Sequence, residues 1–156
     1  MKRLLIIKKI QCGYIAIILL AMNVIFTGCL KEKRLLRDNT WSVRGIETDA
    51  NSVLNEYPRP MPITLSIIEM INESDKFFVK FNPPSLALYG KVKIRNNKID
   101  FHDIQISPEW AGGNHQFRKS FADLLGEINR YKTDGAILTL TSKKGDKIEL
   151  MREEYD

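Results

Sequence analysis

Short segments in which apolar and polar residues alternate fill most of the chain after residue 40, and they constrain its fold more than any other feature. The clearest segment puts one set of alternate residues on a single face: Leu86, Leu88, Gly90, Val92 and Ile94. A period of two residues is typical of a β-strand with one buried face. We therefore predict an antiparallel sheet, which packs one face on a core and exposes the other.

Turn residues separate the segments that carry this pattern. Asn96-Asn97 predicts a tight hairpin turn, since asparagine tolerates positive φ, and residues 143–146 predict another. Gly90 inside a strand pattern predicts a β-bulge or a close approach of another backbone. The predicted strands are Thr40–Ile46, Ile63–Ile71, Lys76–Phe81, Leu86–Ile94, Lys98–Ile106, Ala136–Thr141 and Lys147–Arg152.

One segment has a helical period instead. We predict a helix from His115 to about Arg130, with Asn114 as its N-cap. Its apolar residues form a single stripe: Phe117, Phe121, Leu124, Leu125 and Ile128. The predicted fold class is α+β, a curved antiparallel sheet of about seven to eight strands packed on this one amphipathic helix, with Trp41 in the core.

The first 28 residues are organised differently. Four basic residues and no acidic residue lie in the first nine positions, and an apolar run follows from Tyr14 to Phe26. A positive start before about 7–15 apolar residues is typical of a secretory signal peptide. A permanent membrane helix would need about 20 apolar residues.

The apolar run ends in Phe26-Thr27-Gly28-Cys29, which resembles the lipobox of bacterial lipoprotein precursors. In that family the cysteine thiol receives a diacylglyceryl group, signal peptidase II cleaves before it, and the new amine is acylated, typically with palmitate. The resemblance implies lipid attachment at Cys29 and recognition of the three preceding residues by the peptidase. Phe26 departs from the usual leucine. Cys12 has no apolar core before it, so it is expected to leave with the signal. An uncleaved anchor with an incidental cysteine is the alternative.

Cleavage there would divide the chain into a signal peptide (1–28), a tether (29–39), a domain (40–152) and a polar tail (153–156). Leu30 stands where aspartate would signal retention in the inner membrane, so we expect the outer membrane of a bacterial envelope. Lys31-Glu32 resembles a surface-export signal of some lipoproteins, although an ordinary charged tether explains it better. The membrane face therefore stays open.

Charge and cysteine content exclude several classes of protein. Of the 24 Lys and Arg residues, four lie in the signal, which leaves 20 against 19 acidic residues. Nucleic-acid binding therefore has no electrostatic support. Cys29 would be the only cysteine after cleavage, which excludes a disulfide scaffold and a cysteine-based zinc site.

The order of elements resembles the META/HslJ family of small bacterial envelope domains. The resemblance implies a curved or barrel-like antiparallel sheet against one helix, and non-catalytic roles in envelope stress, motility or drug tolerance. Two cysteines common in the family are absent, so no role tied to them carries over. The residues that carry the resemblance are Trp41, Phe81-Asn82, Tyr89–Ile94, Asn97–Phe101, the helix Phe117–Ile128, Tyr131, Ala136–Leu140 and Ile148–Met151.

Few side chains could support metal binding or catalysis. His102 and His115 lack metal-ligand spacing and would need partners brought by folding, namely Asp100, Asp103 or Glu109. A triad of Ser107, His102 and Asp103 lacks a nucleophile-elbow motif. We predict a protein that is not an enzyme and has no cofactor and no metal.

Two further features could bind anions. Gly112-Gly113 precedes the predicted helix, where it could hold an anion, but a flexible loop explains it better. Lys91, Lys93 and Arg95 alternate on one strand face, which we interpret as solvated, with acidic lipid headgroups or glycans as the alternative ligands.

Two functional hypotheses remain. The first is an envelope lipoprotein, held to the membrane through lipidated Cys29, whose domain maintains envelope integrity or binds another envelope component, an unidentified protein for example. The second is a lipocalin-like carrier of a small apolar ligand. A closed eight-stranded barrel with a dry pocket would favour the carrier. An interior filled with aromatic side chains would favour the first: Trp41, Phe77, Phe81, Phe101, Phe117 and Phe121.

Overall fold

The computed structural model describes residues 34–48, 54, 62–71, 73–81, 85–107 and 115–154, except the side chains of 85–87. The chain divides into two compact units, Met1–Leu35 and Leu36–Asp156. Within the described ranges, no helix is long and apolar enough to cross a membrane. The second unit contains β1 (Thr40–Glu47), β2 (Ile63–Ile68), β3 (Asp75–Phe81), β4 (Ser85–Arg95), β5 (Lys98–Ile106), α1 (His115–Glu127), β6 (Ile128–Asp134), β7 (Ile137–Ser142) and β8 (Lys147–Arg152).

The eight strands form a closed barrel. Each strand pairs antiparallel with the next one, and β8 pairs back with β1 from Trp41↔Arg152 to Glu47↔Lys147. The predicted antiparallel sheet with one helix is confirmed in these coarse terms, but the sheet closes on itself instead of remaining an open curved layer. Closure gives both terminal strands a hydrogen-bonding partner, which removes the exposed edges of an open sheet.

The alternation of the sequence fixes which side chains face the interior. Phe77, Val79 and Phe81 of β3 are buried, and so are Leu138 and Leu140 of β7, whereas their neighbours are half-buried or exposed. The predicted turn between β4 and β5 is also confirmed. Asn96 has a φ of 52°, the left-handed conformation that asparagine tolerates.

One strand was not predicted, because its first residue fits two patterns. The helix ends at Glu127 and β6 begins at Ile128, so the prediction of a helix to Arg130 is wrong by one turn. Ile128 follows Leu125 at a helical spacing, and a register shift between Ile128 and Arg130 breaks the alternation of β6. A tertiary contact decides the outcome: the Tyr131 amide and hydroxyl donate to carbonyls of the β4–β5 turn.

Two strand boundaries also differ from the prediction. β2 ends at Ile68 and not at Ile71, and Asp75 begins β3 although it was assigned to the preceding turn. Asp75 is buried and pairs with Val92 of β4. A carboxylate at the start of a strand resembles a turn residue in the sequence, and only its partners identify it as part of the sheet.

The helix covers one end of the barrel, which we call the helix end. Odd-numbered strands finish there, and the ring of Phe81, the last residue of β3, lies 6.1 Å from the rings of Phe117 and Phe121. The predicted apolar stripe is buried at Phe117, Phe121, Leu124 and Leu125. Ile104 of β5 also lies against α1, beside Gly126. The helix therefore extends the core beyond the strands.

A short N-terminal segment packs at the opposite end, which we call the N-terminal end. Leu36 has no exposed surface, and its carbonyl accepts a hydrogen bond of 3.3 Å from Trp41 Nε1. The Arg37 guanidinium lies 2.7 Å from the buried carboxylate of Asp75 and also contacts Glu69. The second compact unit thus includes Leu36 and Arg37. The division of the chain at residues 28, 39 and 152 stays a prediction.

Candidate functional site

The most irregular part of the barrel wall is the β-bulge around Gly90. The pairing of β4 with β5 shifts between Tyr89 and Lys91, and Asp103 opposite has a φ of 53°. A Cβ atom on Gly90 would lie 2.7 Å from Phe77 Cε1 and 2.9 Å from the carbonyl oxygens of His102 and Asp103. The predicted role of this glycine is confirmed: it permits a close approach of β5.

An ion pair lies at the bulge. Lys91 Nζ is 3.0 Å from Asp103 Oδ2, on the exposed face of the sheet. The hydrogen bond from Lys91 holds the pKa of the Asp103 carboxyl below its ordinary value, and the same bond raises the pKa of Lys91. These shifts favour the charged form of both groups, one of which is the positive-φ residue of the bulge. Strained residues of this kind concentrate at binding sites.

The bulge forms one wall of a groove of about 610 Å³ on the outside of the barrel. Two rows of cross-strand partners run through it. One row is Phe78, Tyr89 and Gln105, and the next one contains Lys76 and Lys91. The complete lining of the groove is Lys76, Phe78, Tyr89, Gly90, Lys91, Asp103, Ile104 and Gln105. We refer to this surface as the outer groove.

The composition of the outer groove is suited to binding. Phe78 and Tyr89 are half-buried and offer apolar surface on the outer side of the wall, and the half-buried Ile104 adds to the lining. Lys76, Lys91, Asp103 and Gln105 offer hydrogen-bond donors and acceptors at its rim. A concave, mainly apolar surface with a few placed polar groups is the usual form of a ligand site.

The two histidines considered above as metal ligands lie on different elements, His102 on β5 and His115 on α1. His102 Nδ1 lies 3.8 Å from Asp100 Oδ2, whereas His115 is exposed at the first position of α1. In the part of the chain that the structure describes, no three His, Cys, Asp or Glu side chains are grouped so that they could hold a metal ion.

The residues of the possible catalytic triad are not brought together either. Asp103 pairs with Lys91 instead of with His102. Ser107 follows His102 by five residues along an extended chain, a separation of roughly 15 Å. These two groups are therefore too far apart for proton transfer between them. The structure does not assemble the triad of Ser107, His102 and Asp103, which the missing nucleophile-elbow motif already disfavoured.

The remaining predicted residues divide into two groups. Lys91, Lys93 and Arg95 are exposed on the outer face of β4, as predicted. The others lie outside the described residues: Cys12, Phe26, Thr27, Gly28, Cys29, Glu109, Gly112, Gly113 and Asn114.

Sequence reasoning missed the aromatic part of the outer groove. Phe78 and Tyr89 occupy positions that the alternation assigns to the solvent side of β3 and β4. That mismatch was the available signal, because an aromatic residue at an outer position departs from the polar pattern. Only the register shows that Phe78 and Tyr89 are direct cross-strand neighbours.

Solved structures share the fold. No protein-family model and no curated protein matches the chain. An NMR structure of a protein from Burkholderia xenovorans is 16% identical, with a TM-score of 0.56 over 78% of this chain and 86% of that one. A crystal structure of a DUF4847 family protein from Bacteroides vulgatus ATCC 8482 is 11% identical, with a TM-score of 0.51 over 80% and 99%. The META/HslJ resemblance stays a prediction.

Proposed function

We propose that the protein is a lipid-anchored lipoprotein of the bacterial envelope, expected at the outer membrane, and that its barrel is a non-catalytic module that binds another envelope component in the outer groove. The observation that carries the proposal is the groove itself. Gly90, the strained Asp103 and the ion pair with Lys91 combine to shape it. A plain strand pair would leave the wall flat at this point.

The anchor is supported by the sequence of the first 29 residues. A positive start, an apolar run and Phe26-Thr27-Gly28-Cys29 together match the lipobox pattern. One acyl chain alone gives only marginal membrane binding. Several chains on Cys29 would hold the protein permanently, and a binding module held in this way needs no membrane-spanning segment.

The interior of the barrel favours an outer site over an inner one. All six aromatic residues expected to fill the interior are 6% exposed or less. Phe77 and Phe101 pack edge to face with ring centroids 5.0 Å apart. The carrier hypothesis keeps one supporting observation, the closed eight-stranded topology that small lipocalin-type barrels use. Binding inside the barrel would require a ligand to displace these aromatic side chains.

Crosslinking in intact cells tests the binding site. A photoreactive amino acid at Tyr89, in the outer groove, is expected to capture a specific envelope component. Thr139 is the matched control, because it is half-buried on the outer face of β7. Equal products from both positions would contradict the groove. A lipid that copurifies with the native protein, without any crosslinked component, would favour the carrier.

Intact mass of the purified protein tests the anchor separately. We expect an N-terminus at Cys29 that carries the mass of a diacylglyceryl group and an acyl chain. The Cys29→Ser variant should keep its signal peptide and carry no added lipid. A wild-type protein that starts elsewhere, or that starts at Cys29 without added mass, would overturn the anchor.

A further inference from the structure

Three basic residues form a row across the outer face near the N-terminal end of the barrel. Arg95 of β4 is the direct partner of Lys98 of β5, which is the direct partner of Arg130 of β6. All three are exposed. Side chains directly opposite in antiparallel strands lie only about 5 Å apart at Cβ, where like charges are destabilising. We call this set the basic row.

The basic row has no acidic partner among the residues that the structure describes. Among the described residues, the ion pairs involve other groups, and none places a carboxylate within 4 Å of Arg95, Lys98 or Arg130. Folding alone gains nothing from three adjacent uncompensated cations. An external anion would relieve their repulsion.

Apolar side chains are exposed at the same end. Ile71 is 88% exposed in the turn between β2 and β3, and Ile68, the last residue of β2, is 50% exposed. Ile137 and Met151, at the start of β7 and near the end of β8, are 42% and 37% exposed. In an up-and-down barrel, even strands finish at the end where odd strands start. All four residues therefore lie at the N-terminal end.

The covalent chain places this end close to the proposed lipid anchor. Six residues lie between Cys29 and Leu36, which belongs to the folded unit, so seven Cα–Cα steps connect them. A fully extended chain of that length reaches roughly 24 Å. The N-terminal end is therefore the part of the barrel that a lipidated Cys29 would hold nearest to the bilayer.

The acidic groups at this end are partly neutralised. Arg37 pairs with both Glu69 and Asp75, and Arg152 approaches Glu154 to 3.9 Å. The basic row is separate from these pairs, since it lies on β4, β5 and β6. Anionic phosphate groups and apolar chains occur together at the surface of a bilayer, which is the one environment that suits both features.

We infer that the N-terminal end of the barrel docks on the membrane, with the basic row on anionic phospholipid headgroups and Ile71 inserted at the interface. This inference rests on the proposed lipid anchor at Cys29. It adds an orientation: the helix end and its neighbouring surfaces point away from the bilayer, and the barrel does not tumble freely on its tether.

A site-specific probe tests the docked orientation. In the mature lipoprotein the Cys29 sulfur would be a thioether, so an introduced cysteine is the only free thiol. An environment-sensitive fluorophore is attached to Ile71→Cys or, as the matched control at the helix end, to Lys143→Cys. The full mature protein is reconstituted in vesicles of phosphatidylcholine with phosphatidylglycerol that contain a doxyl-labelled lipid as quencher, and in vesicles with phosphatidylcholine as the only phospholipid class.

The expected result is strong quenching at position 71 with phosphatidylglycerol and little quenching at position 143. Reversal of the basic row (Arg95→Glu, Lys98→Glu, Arg130→Glu) should lower the ratio of docked to undocked protein at least about tenfold, because each basic residue at an anionic surface contributes a severalfold change. The control reversal at the helix end is Lys80→Glu, Lys119→Glu and Lys143→Glu, which should change nothing.

Two failures can be told apart. If intact mass shows the acyl chains but the two positions are quenched equally, the docking inference is overturned and the anchor stands. If the purified protein carries no acyl chains and stays off the vesicles, the anchor is overturned, and docking with it. A charge-neutral variant of the basic row (Arg95→Gln, Lys98→Gln, Arg130→Gln) with an unchanged circular dichroism spectrum confirms that a loss of docking is not a loss of folding.

Discussion

At the scale of single residues, backbone geometry at the bulge limits what the sequence can change. The atoms nearest to a Cβ on Gly90 include two carbonyl oxygens of β5, which cannot rotate away as a side chain can. The third neighbouring atom is Cε1 of Phe77, whose ring is itself buried. Glycine is therefore required by packing, and the position is not simply flexible.

Gly90→Ala should lower the free energy of unfolding by about 1–3 kcal/mol, the usual effect of overpacking a filled site. Urea denaturation measures it. Gly45→Ala is the matched control, because nothing lies within 4 Å of its added Cβ, and its effect should stay within about 0.5 kcal/mol. Equal effects at both positions would show that the close approach at Gly90 is not tight.

The ion pair at the bulge gives a pH-dependent prediction. Asp103 has a lowered pKa in the folded protein, caused first by the hydrogen bond from Lys91 and then by the charge of Lys91. Its contribution to stability is therefore present above the pKa of the unfolded chain and is lost as pH falls through the lower folded value. Because the pair is exposed, we expect a small effect on stability.

Lys91→Met should raise the pKa of the Asp103 carboxyl toward its ordinary value. Carboxyl chemical shifts followed through an acid titration measure it directly. The Lys93→Met variant, which removes a smaller charge contribution, is the control and should raise the pKa less. An unchanged titration of Asp103 in Lys91→Met would mean that the pair does not form in solution.

At the scale of elements, the segment before β1 contributes to the core as a strand does. Leu36 is buried completely, and the side chain of Asp75, 8% exposed, faces the guanidinium of Arg37. A polar carboxylate this deeply buried is stable only with a partner. The segment therefore contacts the first residues of both β1 and β3.

Arg37→Met should lower the free energy of unfolding by about 1–3 kcal/mol, since the Asp75 carboxylate stays buried without its cation. Lys147→Met is the control, because the pair of Lys147 with Glu47 is exposed on both sides. Its effect should be below about 1 kcal/mol. Thermal or urea unfolding measures both variants, and equal losses would contradict a structural role for the N-terminal segment.

At the scale of the whole molecule, the barrel is closed more firmly at some seams than at others. β1 and β8 share six register pairs, whereas β5 and β6 share one, Lys98↔Arg130. The helix follows β5 in the chain and packs against it through Ile104, beside Gly126. The seam between β5 and β6 is therefore held largely by side chains and by the β4–β5 turn.

Amide hydrogen exchange should show this difference. We expect faster exchange in β5 after Asp100, along the side that faces β6, than in β1 and β8, because fewer ladder hydrogen bonds protect it. Slow exchange throughout β5 would contradict the weak seam. The β1–β8 pair is the internal control, since its protection must match that of the hairpins if the barrel is closed in solution.

The local features of this protein follow from the sequence alone. The alternation of apolar and polar residues predicts the buried faces of β3, β4 and β7. Gly90 predicts the bulge, and Asn96-Asn97 predicts the β4–β5 turn. These predictions are correct because each feature depends on residues that are neighbours in the chain. Side chains alternate across a strand, and only certain residues accept positive φ.

Two larger features depend on contacts between distant segments: the sheet closes, and residues 128–134 form a strand. Closure joins Trp41 to Arg152, a register between segments more than a hundred residues apart that no local period encodes. The same is true of the outer groove, the basic row and the ion pair of Arg37 with Asp75. Each depends on which strands become neighbours, and that is set by how the whole core packs.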